Sequence, residues 1–152
     1  MITLQPGDKA PLFAGIDQNG EKFSLRDLKG KKVVLYFYPE DDTPTCTIQA
    51  CNLRDNHFLL KEKGFEIIGI SPDAVKKHKK FEEKYSLPFR LIADPDHLVI
   101  DKYGVWGEKQ LYGRKYLGLH RTTFVIDEKG RIMKVFLRPK NKQHAEEIAA
   151  LV

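Results

Sequence analysis

The chain has 152 residues, enough for one ordinary domain to bury a core without disulfide staples or a structural metal. Its net charge of +5 comes from lysines dispersed among acids; the densest run, "VKKHKKFEEKY", carries Glu82 and Glu83 and reads as a solvated helix face, with no aromatic-basic motif to suggest nucleic acid. The opening "MITLQPGDKA" lacks the basic start and apolar run of a signal peptide, and no apolar segment approaches the roughly 20 residues that span a bilayer, so a cytoplasmic protein without membrane contact is expected.

In chain order, "LFAGIDQNGEKFSLRDLKGK" carries an "NG" step that suits a small hairpin. "KKVVLYFY" is continuously apolar and aromatic and reads as a buried strand that stops at Pro39. After "PEDD" a helix begins with Thr43 as N-cap and Pro44 at its first position, and it is expected to run to Gly64, a suitable C′ residue. The strand "FEIIGIS" follows, then a helix from Pro72 through "DAVKKHKKFEEKY", a short strand in "FRLIA", and a short helix in "DPDHLVIDKYG" capped by Asp94. "HRTTFVID", the turn "EKG" and "RIMKVFL" form a hairpin, and "KQHAEEIAALV" closes the chain as a helix. Trp106, in "GVWGEK", is expected to pack in a loop. This alternation, without repeat or linker, predicts a single α/β domain over residues 1–152.

The only cysteines are Cys46 and Cys51. With Thr43 as N-cap, Cys46 is the third helical residue, where free backbone N–H groups and the helix dipole favour an anion, which for cysteine is the nucleophilic thiolate. The acidic run Glu40, Asp41 and Asp42 opposes this, so a cation is needed nearby. Arg121 is a candidate because it interrupts an apolar strand pattern; it could equally reach water from the strand's open end. Five helical residues separate two Cα atoms by about 8.6 Å, from standard helix geometry, beyond the roughly 7 Å that a disulfide tolerates. A bond between Cys46 and Cys51 therefore requires the helix to unwind locally; the alternative is a pair of small buried hydrophobes.

"FYPEDDTPTCT" resembles the peroxiredoxin active-site pattern P-x-x-x-T-x-x-C, and "CTIQAC", "NLRD", "YGVWGEK" and "GLHRTTFVID" resemble its peroxiredoxin Q branch, also called bacterioferritin comigratory protein. The likeness runs from "GDKAPLF" to the last hairpin. It implies a thioredoxin-like fold, a central mixed sheet flanked by helices, and a thiol peroxidase acting on hydrogen peroxide and organic hydroperoxides. Pro39, Thr43, Cys46 and Arg121 match the family's four active-site positions, and Cys51 matches its resolving cysteine. The resemblance further implies thioredoxin or a similar dithiol as reductant and an intramolecular disulfide; a monomeric or weakly associating protein without a cofactor is expected. Thr45 departs from the family's usual Gly and Gln49 from the branch's frequent Glu; the first adds a branched side chain beside the sulfur, the second spares it a negative charge.

Other chemistries fit less well. A C-x-x-C dithiol oxidoreductase would space its cysteines more closely, and a basic nucleic-acid-binding protein would gather its charge. His57, His78, His97, His120 and His144 form no i, i+4 ligand pair, so no metal is expected, and neither a G-x-G-x-x-G fingerprint nor a P-loop is present to imply a nucleotide cofactor.

Overall fold

The computed structural model describes residues 2–152. Its centre is a seven-stranded mixed sheet in the order β2-β1-β5-β4-β3-β8-β9. The strands are β1 (Ala14–Asp17), β2 (Lys22–Ser24), β3 (Lys32–Phe37), β4 (Phe65–Ser71), β5 (Arg90–Ala93), β8 (Thr122–Ile126) and β9 (Ile132–Phe136). β3, β4 and β5 run parallel, whereas β1, β2, β8 and β9 pair antiparallel to their neighbours. The central strands read as unbroken apolar runs because both faces are covered.

Alternation along β3 assigns its side chains to two cores. Val33, Leu35 and Phe37 join Ile68, Ile92, Phe124 and the side chains of α4 (Leu98–Tyr103) on one face. Val34, Tyr36 and Tyr38 join the other face, which is covered by α1 (Pro44–Asp55), α2 (His57–Glu62), α3 (Val75–Tyr85) and α5 (His144–Ala149). Gly69 on β4 is required there, since a Cβ would lie 2.9 Å from Tyr36 Cζ. No helix among the described residues is long and apolar enough to cross a membrane.

The mixed sheet, the N-terminal hairpin and the strand and helix order match the sequence expectation, with four differences. The helix expected from Pro44 to Gly64 divides at Asn56 (φ −109°, ψ 11°), whose side-chain amide donates to the Asn52 carbonyl oxygen at 2.9 Å and so competes with helical bonding. α3 begins at Val75 rather than Pro72, because Asp73 is drawn to the Ser71 hydroxyl and the Asp41 N–H. The closing helix is confined to His144–Ala149. Trp106 is not in a loop: it opens β6 (Trp106–Leu111), which pairs with β7 (Arg114–Leu119) in a hairpin that sequence reasoning missed, turned at Tyr112 (φ 51°) and Gly113 (φ 77°).

Candidate active site

β3 ends under the sheet's covering helices, and residues 39–43 turn the chain into α1. Thr43 has the extended backbone of an N-cap (φ −89°, ψ 157°) and Pro44 occupies the first turn, as expected. The buried residues of α1 are Cys46, Gln49, Ala50 and Leu53, an i, i+3, i+4, i+7 stripe facing the sheet. Cys46 is thus both in the first turn and on the inward face, only 2% exposed. Cys51 is half-buried and, five residues on, lies about 140° around the helix from Cys46. Both thiols are free.

Arg121 lies just before β8, and its guanidinium turns inward instead of reaching water. Its Nη2 donates to Cys46 Sγ at 3.1 Å and its Nη1 to Gln49 Oε1 at 2.6 Å. The planar fork therefore bridges two residues on one face of α1. Gln49, fully buried, gives Arg121 an acceptor without placing a charge beside the sulfur.

The acidic run that would oppose a thiolate is drawn off by α3 and its approach. Glu40 pairs with Lys77 at 2.7 Å, Asp42 with Lys84 at 2.7 Å and the Tyr85 hydroxyl at 2.8 Å, and Asp41 with His78 at 2.5 Å. The Lys84 and Tyr85 hydrogen bonds hold the Asp42 carboxyl below the usual carboxylate range. Pro39 is half-buried at the end of β3. The Thr43 hydroxyl donates back to the Glu40 carbonyl oxygen at 3.0 Å and accepts from no helix N–H, which leaves its lone pairs able to accept. Thr45 is exposed and shares a cleft of about 430 Å³ with Ile48 and residues 140–143.

Asp41, Asp73 and His78 bring ligand-type atoms within 4.8 Å of one another. Their atoms are already engaged: Asp41 by Tyr38 and His78, Asp73 by Ser71, the Asp41 N–H and Lys77. Sequence reasoning set His78 aside, yet the signal was there, because it falls on the stripe Val75, His78, Phe81, Tyr85 that α3 turns towards the sheet.

Residues 6–135 match the AhpC/TSA family. The peroxiredoxin Bcp of Escherichia coli K12 is 46% identical over 148 residues, covering 97% of this chain and 95% of its own. The chain belongs to the peroxiredoxins, in the peroxiredoxin Q and Bcp branch. The peroxidoxin BcpB of Mycobacterium tuberculosis superposes with a TM-score of 0.86 at 33% identity, covering 97% of this chain and 96% of its own. The bacterioferritin comigratory protein of Xanthomonas campestris, solved as trapped intermediate/ligand complexes for its alkyl peroxide reduction activity, gives 0.87 at 28%, covering 99% and 96%. As a peroxiredoxin of this branch, the protein is a thiol peroxidase with the family's thioredoxin-like fold, taking a hydroperoxide as substrate and a thiol as reductant.

Proposed function

We propose that this peroxiredoxin reduces hydrogen peroxide and organic hydroperoxides through a Cys46 sulfenic acid and a Cys46–Cys51 disulfide. The observation that carries the reading is the Arg121 guanidinium 3.1 Å from Cys46 Sγ, in the first turn of α1. The cation and the free N–H groups of that turn favour the thiolate. The thiolate attacks one peroxide oxygen; the O–O bond breaks, an S–O bond forms, and the other oxygen leaves as hydroxide or alkoxide to be protonated to water or an alcohol. Arg121 donates to the oxygen on which charge develops. Thr43 accepts from the peroxide O–H, and Pro39, which has no N–H, shields the sulfur from water.

Resolution needs the two sulfurs to meet, so the first turns of α1 unwind. The Cys51 thiolate then displaces hydroxide from the sulfenic sulfur, giving the disulfide and a second water. Two electrons from an external dithiol, thioredoxin or a relative, restore both thiols. The alkyl peroxide reduction named for the Xanthomonas relative supports organic hydroperoxides as substrates. The working form proposed is a monomer in the cytoplasm.

The test is one equivalent of hydrogen peroxide added to reduced protein, with free thiols and intact mass followed. The expected result is rapid loss of two thiols and two hydrogens. Cys46→Ser should abolish it, and Cys51→Ser should give a sulfenic or over-oxidised adduct instead. Oxidation no faster than that of an ordinary thiol would reject the reading.

A further inference from the structure

Asp41 and His78 have no part in the chemistry above, yet they are among the most deeply buried polar groups of the protein, at 2% and 0% exposure. Burying such a pair is costly unless each donor and acceptor is matched. Here they are. His78 Nε2 faces the Ile92 carbonyl oxygen at 3.1 Å, an atom that only accepts, so Nε2 carries a proton. Nδ1 lies 2.5 Å from Asp41 Oδ2, while the Tyr38 hydroxyl donates to Asp41 Oδ1 at 2.5 Å. The Asp41 N–H donates to Asp73 Oδ2 at 2.7 Å. The end of β3, the approach to α3 and α3 itself thus converge on one residue of the turn. The neighbouring Glu40–Lys77 and Asp42–Lys84 pairs are solvent-exposed and contribute little.

That turn decides where Cys46 sits. Asp42 adopts a left-handed conformation (φ 62°), and the chain then passes through Thr43 and Pro44 into α1. Arg121 is held separately, from the start of β8. The distance between its guanidinium and the sulfur therefore depends on two frames, and Asp41 fixes one of them.

We propose that His78 is a positioning residue for the peroxide-reducing step: acting through Asp41, it holds residues 39–43 so that Cys46 stays in the first helical turn within reach of Arg121. The proposal rests on Cys46 being the attacking thiol. The role demands a donor at the Nδ1 position, aimed at Asp41, in addition to the one at Nε2.

Two amide replacements separate the ring's nitrogens. His78→Asn places an N–H near Nδ1 and keeps the donor to Asp41; His78→Gln places one near Nε2 and keeps only the Ile92 contact. The second-order rate constant for Cys46 oxidation by hydrogen peroxide should stay within about threefold of the natural protein for Asn and fall on the order of tenfold or more for Gln. The Cys46 thiolate absorbance at neutral pH should decline in the same order. Disulfide formation after oxidation should not slow in either variant, because a looser turn does not hinder unwinding. Equal effects of the two variants, or the reverse order, would overturn the proposal. Circular dichroism melts accompany both; if His78→Gln does not fold, Asp41→Ala, which removes the acceptor facing Nδ1, carries the same expectation. Cys46→Ser, run alongside, distinguishes the two ideas: peroxide reduction surviving in it would sink the Cys46 assignment itself.

Discussion

The guanidinium of Arg121 divides its donors between Cys46 Sγ and Gln49 Oε1, and the planar fork fixes both contacts at once. A lysine has a single ammonium on a flexible stem and cannot span the two acceptors. Arg121→Lys should therefore lower the second-order rate constant for peroxide by on the order of 10²-fold, as loss of one preorganised donor does elsewhere; a stopped-flow measurement checks it, and an unchanged rate would mean charge alone suffices. Arg121 was only half legible in the sequence: a cation interrupts an apolar pattern, which left it equally free to reach water, and the family resemblance tipped the reading towards the sulfur. The fate of the acids was not: three consecutive carboxylates read as one negative patch, and only tertiary structure shows Asp41 turned inward to His78 while Glu40 and Asp42 turn out to lysines of α3. The bond of the Thr43 hydroxyl was not legible for a related reason, since N-cap backbone geometry leaves open whether the side chain accepts from the helix or donates back to Glu40.

α1 is fastened unevenly along its length. Its start depends on the turn at residues 39–43, whereas beyond Cys51 it is tied to α5 through Asn52, whose amide donates to the Lys142 carbonyl and Glu146 carboxylate oxygens and whose Oδ1 accepts from the Ala145 N–H. Leu53, fully buried, anchors the same end. Unwinding that joins the cysteines should accordingly stop near residue 52. Amide exchange in the disulfide form is expected to be fast for residues 45–51 and slow for residues 53–55. Replacing Asn52 with Ala should extend the fast region and lower stability by about 1–2 kcal/mol, as lost hydrogen bonds with one buried donor left unmatched do; an unchanged exchange boundary would assign the pivot elsewhere. The helix start was readable from Thr43 and Pro44. The break at Asn56 was not, because asparagine is tolerated within helices and only its bond back to Asn52 shows which option it takes.

At the scale of the molecule, α5 makes stability depend on pH. His144 Nδ1 faces the Glu147 carboxylate at 3.0 Å and its Nε2 the Thr123 hydroxyl at 2.8 Å, a pattern a neutral ring satisfies. Burial depresses its pKa from 6.5, and the Glu147 contact only partly offsets this. The unfolded chain then binds the proton more readily than the folded one, so stability is full above about pH 6.5 and falls as pH drops below it. The melting temperature should decline more steeply from pH 7.5 to 5.5 in the natural protein than in His144→Gln; parallel slopes would refute the assignment. The sheet order was foreshadowed by the apolar runs of β3 and β4, but the β6–β7 hairpin was not, since its strands alternate too weakly and remain mostly exposed. That hairpin pairs only with itself, and residues 111–117 are all exposed. Two-stranded ribbons are marginal in water, so trypsin should cleave first at Arg114 or Lys115. The cut would leave Cys46 on one fragment and Arg121 on the other, with the antiparallel register of β3 and β8 still holding them together. A nicked protein that runs as two bands under denaturing conditions should still consume peroxide, because its reactive pair is joined through the sheet and not through the intervening chain.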